Sequence, residues 1–365
     1  MSEPLRVLHL LKGLGPGGAE RLVVAQATAA GHLDQRVAYL IPHKSQLVPL
    51  LDDAGVPAIC LDGPRIARPG WIRRLRRLLI EQPTDVVHVH SPVVASVVRV
   101  LVRTLPRDRR PALVGTEHNR WPRHHRLTRL ANRLTIRFET ATIAVSADVA
   151  STIRGTPAER IRVIVHGIDT DAVRSAADRD GVREELGIDE SDVVVLCVAN
   201  LRREKALDVL IEAARDALTV EPRLRYFLVG QGPLESEVDG WIDAAGIRDR
   251  FTRLGYRDDV PRIVSGADFF TLSSAHEGLP VAIMEALTHG LPIVATSAGG
   301  VADAAGTAGL ISPVGDAAAL AANHVRVATD PELRSRLSES ARTEARRFSI
   351  ARAVAEIDEI YRAVR

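Results

Sequence analysis

Short apolar runs of strand length alternate with amphipathic stretches of helix length along nearly the whole chain, and this alternation narrows the possible folds more than any other feature. Strands are expected at residues 7–11, 37–41, 57–61, 85–90, 112–116 and 142–145, with helices between them at 19–30, 47–54, 71–80, 93–104 and 124–138. The pattern falters around 167–181 and restarts with an apolar run at 192–199. It then repeats as helix 206–218, strand 225–229, helix 234–245, strand 267–272, helix 281–289, strand 292–295 and a helical tail from 316 to 365. Near-continuous apolar strands joined by helices imply parallel sheets covered on both faces. The expected fold class is α/β: two Rossmann-like, doubly wound domains facing a central cleft. They cover residues 1–170 and 171–345, with the boundary near 168–190.

A chain of 365 residues suits two domains of ordinary size. With 46% hydrophobic and 26% charged residues, it excludes a disordered chain, a collagen and a coiled coil. No apolar run approaches the roughly 20 residues that cross a bilayer. Residues 1–11 lack the segments of a signal peptide. Cys60 and Cys197 lie in apolar segments and make neither a disulfide framework nor a metal cluster. A cytoplasmic, reducing location is expected. Residues 1–170 hold 25 Lys and Arg against 14 Asp and Glu, while residues 171–365 hold 23 against 32, so the halves should have different ligands. Aromatic residues make up 4% and do not interleave with the basic segments, so nucleic acid is not an expected partner.

Ligands of open α/β sheets bind beyond the carboxyl ends of the strands, and the informative loops follow strands here. The first contains Gly13, Gly15, Gly17 and Gly18, ahead of Glu20. It matches a dinucleotide fingerprint formally, but the next strand closes on Leu40, Ile41, Pro42 and His43, without the required carboxylate. A loop that approaches a phosphate or sugar fits better, and a plain strand–helix turn is the bland alternative. The second loop, 115–119, places His118 where it could meet a hydroxyl or a charge. His88 and His90 share a strand face, but zinc needs a third ligand and no spacing supplies one, so no metal is expected. His276 and Glu277 are not a zinc-protease motif, because Pro280 stands at the second histidine position.

The third loop, 199–205, puts Arg202 and Lys205 directly after a strand, where cations contact phosphates. Lys205 is one of three lysines, with Lys12 and Lys44. The fourth runs Ser273, Ser274, Ala275, His276, Glu277, Gly278, Leu279, Pro280, Val281, Ala282 and on to Glu285. Pro280 near a helix start leaves the following N–H groups free for an anion. Glu285, a turn inside that helix, suits bidentate hydrogen bonding to a vicinal diol such as ribose. Glu277 would lie on the other side of the anion. Residues 290–300 then supply another strand and the Gly299–Gly300 turn.

Residues 273–300 resemble the two-glutamate signature of retaining glycosyltransferases with the GT-B fold, family 4, of the group 1 type. The resemblance spans nearly the whole chain. It includes Gly17-Gly18-Ala19-Glu20, Gly115-Thr116-Glu117-His118, Val145-Ser146, His166-Gly167-Ile168-Asp169, Asn200-Leu201-Arg202, Lys205, Leu254-Gly255-Tyr256 and Phe348-Ser349. It implies a metal- and cofactor-independent hexosyltransferase that retains anomeric configuration. Residues 1–170 would serve the acceptor, 171–345 the nucleotide-sugar donor, and 346–365 would form a helix packing back toward the first domain. By the same resemblance Glu285 would bind ribose, and Glu277 and His118 the donor sugar. Val281 and Ala282 N–H groups would hold the distal phosphate, Lys205 and Arg202 would neutralise the leaving diphosphate, and Tyr256 would border the base. Family members often carry Gly-Arg-Leu where this chain has Ala199-Asn200-Leu201, so by the resemblance the phosphate arginine would be Arg202.

The donor is expected to be a UDP- or GDP-sugar and the acceptor a lipid-linked or polysaccharide chain. An epimerase of the same fold and a noncatalytic nucleotide-sugar-binding subunit are the alternatives. Two basic segments mix arginines with apolar residues. One spans 65–79, with Arg65, Arg68, Arg73, Arg74, Arg76 and Arg77; the other holds Arg120, Arg123, Arg126, Arg129, Arg133 and Arg137. They suit either a solvated face or the anionic inner surface of a membrane, to which the enzyme would be peripheral.

Overall fold

Branched aliphatic side chains dominate the central strands because helices cover both faces of each sheet. The computed structural model describes residues 3–15, 17–63 and 70–365. Arg65 and Arg68 of the first basic segment, and Pro16 of the first glycine loop, lie outside the described residues. The chain divides into two units, one of Met1–Gly167 with Ile350–Arg365, the other of Ile168–Ser349.

The first unit holds a parallel sheet of β1 (Arg6–Leu11), β2 (Asp34–Tyr39), β3 (Ala58–Cys60), β4 (Val86–Val89), β5 (Ala112–Glu117), β6 (Ala141–Ala144) and β7 (Ile161–Val163). Their order is β3-β2-β1-β4-β5-β6-β7. The registers pair Val7 with Val86 and His9 with His88. One core face packs Leu8, Leu10, Val87 and Val89 against Trp71, Leu75 and Val98. The opposite face packs Val7, Val86, Val114 and Ile143 against Ile357, Ile360 and Tyr361 of the last helix, Ile350–Ala363.

The second unit holds β8 (Val193–Val198), β9 (Leu224–Val229), β10 (Phe251–Gly255), β11 (Phe269–Leu272), β12 (Ile293–Thr296) and β13 (Gly309–Ser312), all parallel, in the order β10-β9-β8-β11-β12-β13. This is the Rossmann strand order. The two ends of the unit meet where Ile168 N–H donates to Phe348 O at 2.8 Å.

Three strands escape the periodicity: β7, β10 and β13. All are edge strands. An edge strand has one neighbour and a half-open face, so it tolerates Arg162, Arg253 and Gly309 where a central strand needs aliphatics. The helical tail is three helices, Ala317–Thr329, Pro331–Ala345 and Ile350–Ala363. The first break is set by Asp330, which caps Leu333 N–H at 2.8 Å, with Pro331 as the first helical residue. The basic segment 124–138 is likewise shorter than expected: a helix Arg126–Thr135 followed by a tighter turn at Ile136–Phe138. Among the described residues no helix is long and apolar enough to cross a membrane.

Candidate functional site

In the second unit the strand order reverses between β8 and β11, where a doubly wound sheet opens a crevice. The loops leaving these two strands are stitched together. Ala275 N–H donates to Glu204 O at 2.9 Å, and Ser273 Oγ–H donates to Lys205 O at 2.9 Å. This brings two residues 72 positions apart into contact: Lys205 Nζ donates to Glu277 Oε1 at 2.6 Å. Ser274 Oγ–H donates to the same oxygen at 2.6 Å. The lysine and glutamate side chains are only 19% and 9% exposed, so water screens this pair weakly. Ala206, which follows Lys205, adopts a left-handed φ of +44°, uncommon for a residue with a Cβ and typical of a constrained site.

Glycines let the neighbouring loops close in. Gly299, at φ +56°, lies so near Glu277 that a Cβ would sit 2.0 Å from the Glu277 carbonyl oxygen, and one on Gly300 would sit 2.5 Å from Gly278 O. The turn after β12 thus supports the backbone of Glu277 and Gly278 directly.

The helix Val281–Thr288 starts on Pro280, with no side chain capping it. Its first N–H groups, at Val281 and Ala282, form the positive end of the helix dipole beside the Lys205–Glu277 pair's loop. Glu285 is buried a turn further on, at 9% exposure. Tyr256 follows β10 and is half exposed. Arg202 O accepts from Lys205 N–H at 3.0 Å, and with Arg203, Leu234 and Trp241 the residue lines a cavity of about 180 Å³; among the described residues no hydrogen bond joins its side chain to Lys205 or Glu277. Both arginines are exposed.

In the first unit the glycine loop ends at Gly17, which begins the helix Gly18–Ala29 without a side-chain cap. The Glu20 carboxylate folds back beside Gly17, close enough that a Cβ there would strike it at 2.3 Å. An acid of this chain therefore occupies the neighbourhood of that helix start, and burial raises the Glu20 pKa.

His118 follows β5 and stacks on His166, with ring centroids 5.3 Å apart and planes 14° from parallel. It continues a ladder of imidazoles through His90 at 5.8 Å, then His88 and His9. Strand pairing supplies the third histidine that no spacing in the sequence suggests: nitrogen atoms of His9, His88 and His90 all lie within 4.8 Å of one another.

The hydrogen bonds fix most of the proton positions. Gln35 Nε2 donates to Ala27 O at 2.6 Å and Ala30 O at 3.0 Å, so its Oε1 accepts from His9 Nε2 at 2.9 Å. His9 Nδ1 is then the acceptor for His90 Nε2–H at 3.1 Å. His88 is held at both nitrogens, by Tyr361 Oη at 2.6 Å and Thr116 Oγ1 at 2.7 Å. A metal would have to displace these bonds. Among the described residues His90 Nδ1, His118 Nε2 and His166 Nε2 are buried without partners.

Burial holds the ladder neutral. It lowers His9 and His118 to about 4 and His166 to about 3, and it drives His88 and His90 well below the usual range, helped by the neighbouring imidazoles. Glu117, beside His118 in sequence, is pushed up to about 8, chiefly by burial, with Glu139 adding to the shift and Arg99 opposing it. His118 is thus a neutral hydrogen-bonding group at pH 7, not a cation. His9 carries no motif that singles it out, and Glu117 and His166 enter the sequence reading only as members of the segments 115–118 and 166–169. A histidine at the centre of each of two apolar strands was the available signal, and it becomes meaningful only once β1 and β4 are known to be neighbours.

Comparison with known proteins adds the family. Residues 178–344 match the model described as glycosyl transferases group 1, and residues 16–172 match the model for glycosyltransferase family 4. Alpha-D-kanosaminyltransferase of Streptomyces kanamyceticus is 31% identical over 216 residues, 57% of this chain and 55% of that protein. The putative glycosyltransferase EpsD of Bacillus subtilis is 27% identical over 308 residues, 80% of each chain. The aligned stretch spans about half the length of several such relatives. Among solved structures, Anabaena HepE in complex with UDP-glucose superposes with a TM-score of 0.85 at 23% identity, covering 98% of this chain and 100% of that one.

Proposed function

Because the chain has the GT-B fold and belongs to the family 4 glycosyltransferases, we propose that it moves a hexosyl group from a nucleoside-diphosphate sugar to a lipid-linked or glycan acceptor with retention of anomeric configuration. The observation that carries this reading is the Lys205–Glu277 contact of 2.6 Å at the β8/β11 switch point, on the loop that leads into an uncapped helix start.

The chemistry follows from where charge develops. The bond between the anomeric carbon and the distal phosphate oxygen breaks, and its electron pair leaves with the diphosphate. Lys205 and the Val281 and Ala282 N–H groups supply positive charge to that leaving group, and no step calls on a metal. Glu277, held by Lys205 and Ser274, keeps one carboxylate oxygen for the hydroxyls of the sugar. Glu285 accepts from the ribose diol, and Tyr256 borders the base. His118, neutral at pH 7, hydrogen-bonds a sugar hydroxyl. The acceptor oxygen attacks the anomeric carbon from the face the phosphate leaves, and its proton passes to the departing phosphate oxygen. HepE, a structural neighbour solved with UDP-glucose, supports a uridine nucleotide as the first donor to try.

The test is nucleoside diphosphate release from UDP- and GDP-sugars with and without lipid-phosphate and oligosaccharide acceptors. Release that requires an acceptor, together with a glycosylated product, is the expected result. Epimerised donor without transfer, or binding without any turnover, would replace this reading by one of the two alternatives.

A further inference from the structure

The helix Arg126–Thr135 is turned inside out. Its one buried residue is polar: Asn132, fully buried, whose Oδ1 accepts from Arg99 Nη1 at 2.5 Å. Arg99 in turn is held by Glu139, with Nη2 at 2.6 Å from Oε1, so a buried polar cluster anchors this helix in place of an apolar face. Its leucines point outward. Leu127, Leu130 and Leu134 are 71%, 55% and 57% exposed. Their spacing of three and four residues puts them on one face.

Arginines flank this stripe, and they converge on a groove of about 700 Å³. Arg120, Arg126, Arg129, Arg133 and Arg154 line it beside Leu130, and no Asp or Glu does. Only Arg120 approaches a carboxylate, that of Asp148 at 3.5 Å; among the described residues the other four make no ion pair. The other basic segment is built differently. In the helix Gly70–Glu81 the apolar residues Trp71, Leu75 and Leu79 are buried in the core, and Ile72, Leu78 and Ile80 pack partly against it, so that its most exposed face is cationic.

We propose that the Arg126–Thr135 helix and its arginine groove are a docking surface for an anionic phospholipid bilayer. The leucines enter the acyl boundary and the groove arginines take lipid phosphates. Charge complementarity selects this occupant. A protein partner with an apolar face would leave unpaired guanidinium groups facing it, whereas a layer of phosphates above hydrocarbon satisfies both parts of the surface at the depth each occupies. A membrane-held first unit deepens the lipid-linked-acceptor reading above. Because the assay reads binding and not turnover, failure of the one is distinguishable from failure of the other.

The experiment is co-sedimentation of the full chain with phosphatidylcholine vesicles containing 0 or about 30 mol % phosphatidylglycerol, at low and high salt. The expected result is binding to the anionic vesicles alone, weakened at least tenfold by high salt. L127S/L130S/L134S should lower it at least tenfold with little change in the melting curve, since all three side chains are more than half exposed. R126Q/R129Q/R133Q should lower it comparably and flatten the salt dependence. Inorganic phosphate at millimolar concentration should not displace the protein; displacement would mean a soluble phosphate site and would overturn the bilayer assignment. Undiminished binding by the leucine variant, or no binding to anionic vesicles at low salt, would also overturn it. So would a concentration-dependent dimer that the leucine variant abolishes, which would make a second copy the occupant.

Discussion

Acid should destabilise the first unit well above the pH at which ordinary carboxylates titrate. His9 and His166 are essentially fully buried, with folded values near 4 and 3 against about 6.5 in the unfolded chain. A lowered folded value means that stability is complete above pH 6.5 and is lost as pH falls from there, because only the unfolded chain takes up the proton. At pH 5 the deficit is about 1.5 pH units for each, or roughly 2 kcal/mol per histidine at about 1.4 kcal/mol per unit. That figure is set by the unfolded chain, so it is insensitive to how far below 4 the folded value lies. His88 and His90 act in the same direction.

Glu117 opposes them. Its folded value near 8 is raised, so its contribution is complete below about 4.5 and is lost as pH rises through 8. Between pH 6.5 and 5 it offsets about one histidine, roughly 2 kcal/mol. The sum is a stability maximum near neutrality, with a fall on the acid side that is large against total stabilities of about 5–15 kcal/mol. Urea unfolding from pH 5 to 8 measures it. Trp71 and Trp121 are both buried in the first unit, so a W241F background reports that unit alone. H90Q should reduce the slope below pH 6 by about 1.4 kcal/mol per pH unit, and E117Q should flatten the alkaline limb. Stability that stays level or rises from pH 6.5 to 5 would refute the neutral ladder.

Other outcomes follow from the second unit. Glu285→Ala should raise the donor KM about ten- to a hundredfold, the loss of charge-assisted hydrogen bonds of about 1.5–3 kcal/mol, with the fold checked by circular dichroism. Unchanged donor affinity would make Glu285 a structural residue of its helix. Lys205→Met should depress kcat more than it raises KM, since leaving-group charge grows in the transition state. Arg202→Ala and Arg203→Ala, measured side by side, decide whether either arginine reaches the diphosphate; two harmless substitutions would leave that role to Lys205 and the helix start. Gly299→Ala should cost about 1–3 kcal/mol in unfolding free energy and weaken donor binding as well, because a Cβ there collides with the backbone that carries Glu277.

The local chemistry of the chain is written in its order. Apolar runs marked the central strands, because a strand covered on both faces must be aliphatic throughout. Pro280, Glu277 and Glu285 showed a helix start with acids on either side of it, because capping and helical spacing act over one or two turns. Arg202 and Lys205 showed a cationic strand–helix turn for the same reason. The tertiary structure decided what adjacency in sequence cannot encode. Strand order placed Lys205 on Glu277 across 72 residues. It set His9 beside His88, turning isolated core histidines into a connected ladder. It also decided which side of each basic helix faces water. The segments 71–80 and 126–135 both alternate arginine with leucine, yet one packs its leucines inward while the other is anchored by Asn132 and turns them out. Periodicity defines a helix's two faces; the buried partner, here Arg99, chooses between them.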